Sequence, residues 1–93
     1  MAGLRGNIWA ARSDEMLPIG YGAMVNIPRI ISIVPFNSAP VKRMVQEARE
    51  TSFLVDATYG RKTRSVIVTD SNHVIISTIE PETLNERIKQ VRQ

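Results

Sequence analysis

Cysteine is absent from this 93-residue chain, and histidine and tryptophan each occur once. Without cysteine the chain can form neither a disulfide framework nor a thiolate metal site. The single histidine, His73, leaves few options for catalysis, and we expect it to be a hydrogen-bonded or exposed turn residue. No long apolar run and no export signal is visible, so we expect an intracellular, cytoplasmic protein without a membrane segment. We therefore expect no enzymatic activity, no cofactor and no metal.

Aromatic residues and recognised DNA-reading motifs are also scarce. Two phenylalanines, two tyrosines and one tryptophan supply little surface for stacking on single-stranded bases. Helix-turn-helix and zinc-finger patterns are missing, and Gly20-Tyr21-Gly22 precedes neither a helix nor the Lys-Ser or Lys-Thr of a phosphate loop. If the chain binds nucleic acid, phosphate contacts and duplex shape should therefore dominate over base contacts.

What the chain does have is a concentration of cations in Tyr59–Arg64, where three basic residues fall within four positions. The formal net charge is +3, and residues 16–64 carry seven cations against three anions. Residues 53–58 and 65–69 on either side are apolar or β-branched, which predicts strands flanking a basic hairpin tip. Such a turn suits a polyanion such as a nucleic-acid backbone, although similar turns occur on proteins that bind nothing charged.

The remaining pattern predicts an α+β fold in which a small antiparallel sheet carries a central amphipathic helix and a short C-terminal helix. The run after Pro28 is β-branched and bounded by prolines, as a buried strand would be. Ser38 is a natural N-cap for a helix with Pro40 in its first turn. Residues 80–84 place a proline and two acids where the N-terminus of the second helix would lie. The predicted strands are Leu17–Ile19, Ala23–Asn26, Arg29–Val34, Phe53–Thr58, Arg64–Thr69 and His73–Ile79, the last three forming a meander. The apolar stripes are Val41, Met44, Val45 and Ala48 in the first helix, and Leu84, Ile88 and Val91 in the second.

Residues 1–15 lack sustained periodicity and contain Trp9, so we expect an N-terminal extension or leader that precedes a single domain of residues 16–93. Trp9 could dock on that domain. A domain of this size buries only a modest core by itself, which favours association with copies of itself.

Asp56 lies in an apolar stretch, and a buried carboxylate there would need cations or hydrogen-bond donors. We expect Arg61 or Arg64 to supply them, with Arg64 the favoured structural partner. Lys42 and Arg43 near the start of the first helix fit either a solvated face or a second contact with a polyanion.

Four motifs follow one another along the chain: Ile31–Val34, Ser38–Met44, Asp56–Arg64 and Asp70–Ile75. Together they resemble the bacterial RemA family of extracellular matrix regulatory proteins. The resemblance extends over about Leu17 to Ile88, with the motifs in the family's order.

The resemblance implies a DNA-binding transcriptional regulator, in the best-known members an activator of biofilm matrix and osmoprotection genes. It also implies a homo-octameric ring that double-stranded DNA engages through repeated basic residues. The positions that match the family's DNA contacts are Arg29, Arg61 and Lys62. Arg64, Lys42 and Arg43 are a second tier of DNA-binding candidates that rests on their charge and not on the resemblance. No catalysis, membrane contact or small-molecule substrate is implied.

Two features depart from the best-known members of the family. The first is Lys62, where those members carry arginine, and the second is the leader, for which the family gives no guide. Lysine keeps the charge but loses the bidentate geometry of arginine, so we expect retained general affinity and altered selectivity. Two alternatives stay open. The basic face could bind an acidic protein partner or a membrane surface, or a site at Asp56 or His73 could act on a small anionic substrate.

Overall fold

A four-stranded sheet, a two-stranded hairpin, two α-helices and a short 3-10 helix at Ile27–Arg29 make up residues 15–92, the part of the chain that the computed structural model describes. The predicted leader up to residue 14, including Trp9, lies outside the described residues. The α+β class is confirmed. The elements are β1 (Met16–Gly20), β2 (Ala23–Asn26), β3 (Ile30–Pro35), α1 (Ala39–Glu50), β4 (Leu54–Asp56), β5 (Ser65–Thr69), β6 (Val74–Ser77) and α2 (Pro81–Val91).

The strand order in the larger sheet is β3-β5-β6-β4, and β4 pairs with β6 in parallel. The predicted hairpin between β5 and β6 is confirmed, but the predicted antiparallel meander is wrong because β4 and β5 are not neighbours. Helix α1 returns the chain to the end at which β3 began, so β4 runs parallel to β3, as in any strand–helix–strand unit. Strand β5 has β3 on one side and β6 on the other, which leaves β4 only the outer edge of β6. Strand β4 is only three residues long and occupies the edge.

Each face of this sheet is covered by a different element. Helix α1 packs on one face through the predicted stripe, where Val45 and Ala48 meet a cluster that includes Val66. The β1–β2 hairpin and α2 cover the other face, where Leu17 and Leu84 meet Ile67. Neighbouring residues of a strand point to opposite faces, so β5 contributes to both cores and is buried on both sides.

The predicted starts of both helices are confirmed. The hydroxyl oxygen of Ser38 accepts a hydrogen bond from the backbone N–H of Val41 at 3.3 Å, and Pro40 lies in the first turn. Helix α2 begins at Pro81, and its apolar stripe packs against the core around Leu84.

Strand β3 was predicted to be buried, and this is wrong. It lies at the edge of the sheet with β5 as its neighbour, and the side chain of Ile31 is 64% exposed. A β-branched run shows that a segment is extended but does not show whether one or both of its faces and edges are covered.

Within residues 15–92, no helix has the length and apolar character needed to cross a membrane. In the same residues, no three acidic or histidine side chains group closely enough to hold a metal ion.

Replacing Leu84 with alanine should lower the free energy of unfolding by about 3 kcal/mol, because it removes three buried side-chain carbons and leaves a cavity between α2 and the hairpin. Urea denaturation of the Leu84→Ala protein measures this loss. Thr83→Ala, an exposed neighbour on the same helix, is the control and should change stability by less than about 0.5 kcal/mol. Equal effects of the two substitutions would show that α2 is not packed on this core.

Candidate nucleic-acid interface

Residues 57–64 form the basic segment, which joins the end of β4 to the start of β5 and crosses the end of β6. The prediction of a hairpin tip is therefore wrong. Both ends of the segment are bonded to β6. The N–H of Ala57 donates to the carbonyl of Ile76 at 3.0 Å, and the N–H of Arg64 donates to the carbonyl of Ser77 at 2.8 Å.

Asp56 and Thr58 fix the first turn of the basic segment. One carboxylate oxygen of Asp56 accepts hydrogen bonds from the backbone N–H of Thr58 at 2.8 Å and from its hydroxyl at 2.6 Å. The predicted pairing of Asp56 with Arg61 or Arg64 is wrong, since Arg64 instead lies 3.2 Å from the carboxylate of Glu80. A partner two residues away satisfies the carboxylate with little loss of chain entropy, which a distant arginine could not match.

The hydroxyl hydrogen bond from Thr58 is the largest influence on the Asp56 carboxyl and holds its pKa below the usual value of 3.8. The backbone hydrogen bond from Thr58 lowers the pKa of Asp56 further, burial opposes both, and the charge of Arg49 adds a smaller lowering. The ionised form of Asp56 therefore stabilises the turn from which the cations project.

A tyrosine stack flanks the basic segment. The rings of Tyr21 and Tyr59 lie 5.2 Å apart between centroids at an angle of 30°, and both side chains are exposed. Tyr59 adopts a φ of 53° and Tyr21 a φ of 54°, a backbone region that is uncommon for residues other than glycine. Sequence analysis missed this pair because a loop-to-loop contact between distant positions leaves no periodic signal.

Arg61 and Lys62 follow Tyr59 after one glycine, and both are exposed. The N–H of Arg61 donates to the carbonyl of Thr58 at 3.0 Å, which closes the turn. Among the described residues, neither side chain has a carboxylate partner, whereas several other cations of the chain do. Their full positive charge therefore faces solvent.

Arg29 lies at the opposite end of β5 from the basic segment. Ile30 pairs with Thr69 at the end of β5, whereas Ser65 begins it. Four residue steps of strand separate these ends by ~13 Å, so one chain does not bring Arg29 together with Arg61. Arg29 uses its Nε to donate to Asp70 at 2.8 Å, a contact that leaves its terminal nitrogens for an outside acceptor.

The second-tier cations have different surroundings. Arg64 pairs with Glu80, and both side chains are about half exposed. The ammonium of Lys42 lies 5.7 Å from the centre of the Phe36 ring. Arg43 is exposed on α1.

The candidate catalytic residues are not brought together. Asp56 pairs with Ile76 at one end of β6 and His73 precedes the other end of that strand. The Nδ1 of His73 lies 2.7 Å from the hydroxyl of Ser71, and its ring meets Phe53 edge-on. The prediction of a hydrogen-bonded turn histidine is confirmed.

Comparison with known proteins places this arrangement in a family. A profile of the RemA-like family, described as extracellular matrix regulatory protein A-like, matches residues 16–88. The chain belongs to the RemA-like family. A protein of Brevibacillus brevis is 58% identical over 74 residues, which cover 80% of this chain and 86% of that protein. A protein of Shouchella clausii is 57% identical, in an alignment that covers 80% of this chain and 85% of that protein. A protein of Halothermothrix orenii is 54% identical, in an alignment that covers 82% of this chain and 90% of that protein. All three carry the name "Putative regulatory protein".

The Asp56 carboxylate makes stability depend on pH. Because its pKa in the folded chain lies below 3.8, its contribution is complete above that value and is lost as the pH falls through the lower, folded-state pKa. The stability advantage of the wild type over Asp56→Asn should therefore shrink below pH 3.8.

Unfolding experiments on both proteins across acid pH measure this advantage, and the carboxyl ¹³C shift of Asp56 gives its pKa directly. The Thr58→Val protein lacks the hydroxyl donor, and in it the pKa of Asp56 should move back toward 3.8. A wild-type midpoint at or above that value would contradict the Asp56–Thr58 account.

Proposed function

We propose that this RemA-like chain is a DNA-binding transcriptional regulator, similar to the activators of biofilm matrix genes, that binds duplex DNA through Arg29, Arg61 and Lys62. The observation that carries the proposal is the pair Arg61 and Lys62, which is exposed and has no carboxylate partner within residues 15–92. Exposed cations without internal partners do not have to break an ion pair before they contact a phosphate. The regulatory names of the relatives support the same class of function.

The anchoring of the basic segment adds to this argument. Hydrogen bonds from Ala57 and Arg64 to β6 hold the backbone at both ends, so little loop ordering has to accompany binding. Lys62 neutralises a phosphate as a point charge, while the planar fork of Arg61 can bind one with two hydrogen bonds. The site therefore recognises the duplex backbone more than its base edges.

One protomer offers few phosphate contacts, so the proposal includes a homo-oligomeric ring, in the family resemblance an octamer. Its domain would span residues 16–93, preceded by the extension of residues 1–15. Strands β3 and β4 form opposite edges of the larger sheet. Contacts between two unlike surfaces repeat from copy to copy and close into a ring if the rotation allows.

Exposed apolar side chains support such association. Met24 is 58% exposed and Val55 is 45% exposed, and both line one open cavity together with Arg29. Ile31 is exposed on β3, the opposite edge strand. Repeating Arg29, Arg61 and Lys62 around a ring would multiply weak contacts with a single DNA molecule.

Duplex binding should weaken steeply with salt, and Arg61→Ala and Arg29→Ala should each weaken it further. The slope of log K against log salt is negative, and each lost phosphate contact makes it less steep by ~0.9. Fluorescence anisotropy with a labelled promoter fragment, at several salt concentrations and at matched oligomeric state by light scattering, measures both quantities.

Lys89→Ala is the matched control, because it removes one positive charge from α2, where Lys89 pairs with Glu86. It should leave the slope unchanged. An affinity for duplex DNA that is unchanged in both arginine variants would contradict the proposed site. A wild-type protein that ignores duplex DNA at low salt, yet binds an acidic protein partner through the same residues, would favour the alternative function of a protein-interaction ring.

A further inference from the structure

A cleft of about 240 Å³ lies beside the basic segment, between it, the end of β3 and the start of α2. Two cations, Lys62 and Arg64, converge on it with one carboxylate, Glu80. The ammonium of Lys42 lies 5.7 Å from the centre of the Phe36 ring, which forms part of the cleft wall. The residues that line the cleft are Pro35, Phe36, Asn37, Lys62, Thr63, Arg64 and Glu80.

The charges around this cleft do not cancel. Lys62 and Arg64 line the cleft with a single carboxylate, Glu80, and only Arg64 is paired with it, at 3.2 Å. A third cation, Lys42, lies beside the Phe36 ring of the cleft wall. Helix α1 starts next to the cleft with no acidic residue in its first turn, where acids normally offset the positive end of the helix dipole. An anion that enters the cleft would therefore meet an excess of positive charge.

Glu80 occupies the place of such an anion on Arg64. The side chain of Arg64 is 47% exposed and that of Glu80 is 53% exposed, so the ion pair is weak and exchanges readily with solvent. A phosphate that approaches Lys62 can replace the Glu80 carboxylate on the Arg64 guanidinium, because phosphate accepts the same charge-assisted hydrogen bonds.

We propose that this cleft binds a backbone phosphate of duplex DNA through Lys62 and Arg64, with Lys42 beside the Phe36 ring, and that Glu80 competes with the phosphate for Arg64. The inference rests on the proposed DNA-binding function and deepens it. It adds Arg64 and Lys42 to the contact surface and makes Glu80 a carboxylate that restrains affinity. Asn37 supplies a neutral donor on the wall of the cleft.

The Glu80→Gln protein tests the competition. Its affinity for a labelled duplex should rise about threefold to fivefold, because an exposed ion pair is worth at most about that factor in an equilibrium constant. Glu86→Gln is the matched control: it removes the same charge from α2, the helix that begins directly after Glu80, but Glu86 pairs with Lys89 away from the cleft. The affinity of the Glu86→Gln protein for duplex should change less than about twofold, because salt screens the interaction between DNA and a charge that lies away from the contact.

Arg64→Ala should weaken binding, and adding Glu80→Gln to Arg64→Ala should give much less gain than Glu80→Gln gives alone, since the two residues act through one contact. Equal gains from Glu80→Gln and Glu86→Gln, or no loss in Arg64→Ala and Lys42→Ala, would overturn the cleft. If Arg61→Ala still loses affinity in that case, the proposed function stands without it. A wild type that binds no duplex at low salt would overturn both.

Discussion

Strand β6 lies between an antiparallel neighbour and a parallel one, and the path of the basic segment depends on this arrangement. Since β4 lies beyond β6 from β5, the chain has to cross the end of β6 to enter β5. The backbone groups at that end, the carbonyls of Ile76 and Ser77, then receive the N–H groups of the crossing chain. A hairpin would have left its tip held by its own two strands, whereas this crossing is bonded to the centre of the sheet.

The polar groups of the crossing are satisfied locally, and this leaves its cations for the solvent. Asp56 bonds with Thr58, Thr58 is buried, and the backbone N–H of Arg61 closes the turn without use of its side chain. The uncommon backbone angles of Tyr59 sit beside a stacked ring rather than in an open loop. Local strain that the surroundings hold in place is a frequent companion of binding sites. The result is a fixed backbone from which Arg61 and Lys62 extend.

Much of this architecture is visible in the sequence, because caps, stripes and turn residues act over short distances. Ser38, the stripe of α1 and the start of α2 at Pro81 were all predicted from spacing. The pairing partner of β4 was not, because alternation of apolar residues shows a strand but not its neighbour. The sequence prediction paired Arg64 with Asp56, whereas the structure pairs it with Glu80. The partner of Arg64 depends on the path of the crossing chain, which only the tertiary structure reveals.

The chain has three lysines, Lys42, Lys62 and Lys89, and their reactivity toward an acetylating reagent tests the DNA-binding surface most directly. Lys62 lies on the basic segment, whereas Lys89 lies on α2 beside Glu86. Mass spectrometry of the protein with and without saturating duplex gives the protection of each. The account predicts that duplex strongly slows acetylation of Lys62 and leaves Lys89 unchanged. Protection of Lys89 with Lys62 still reactive would contradict it.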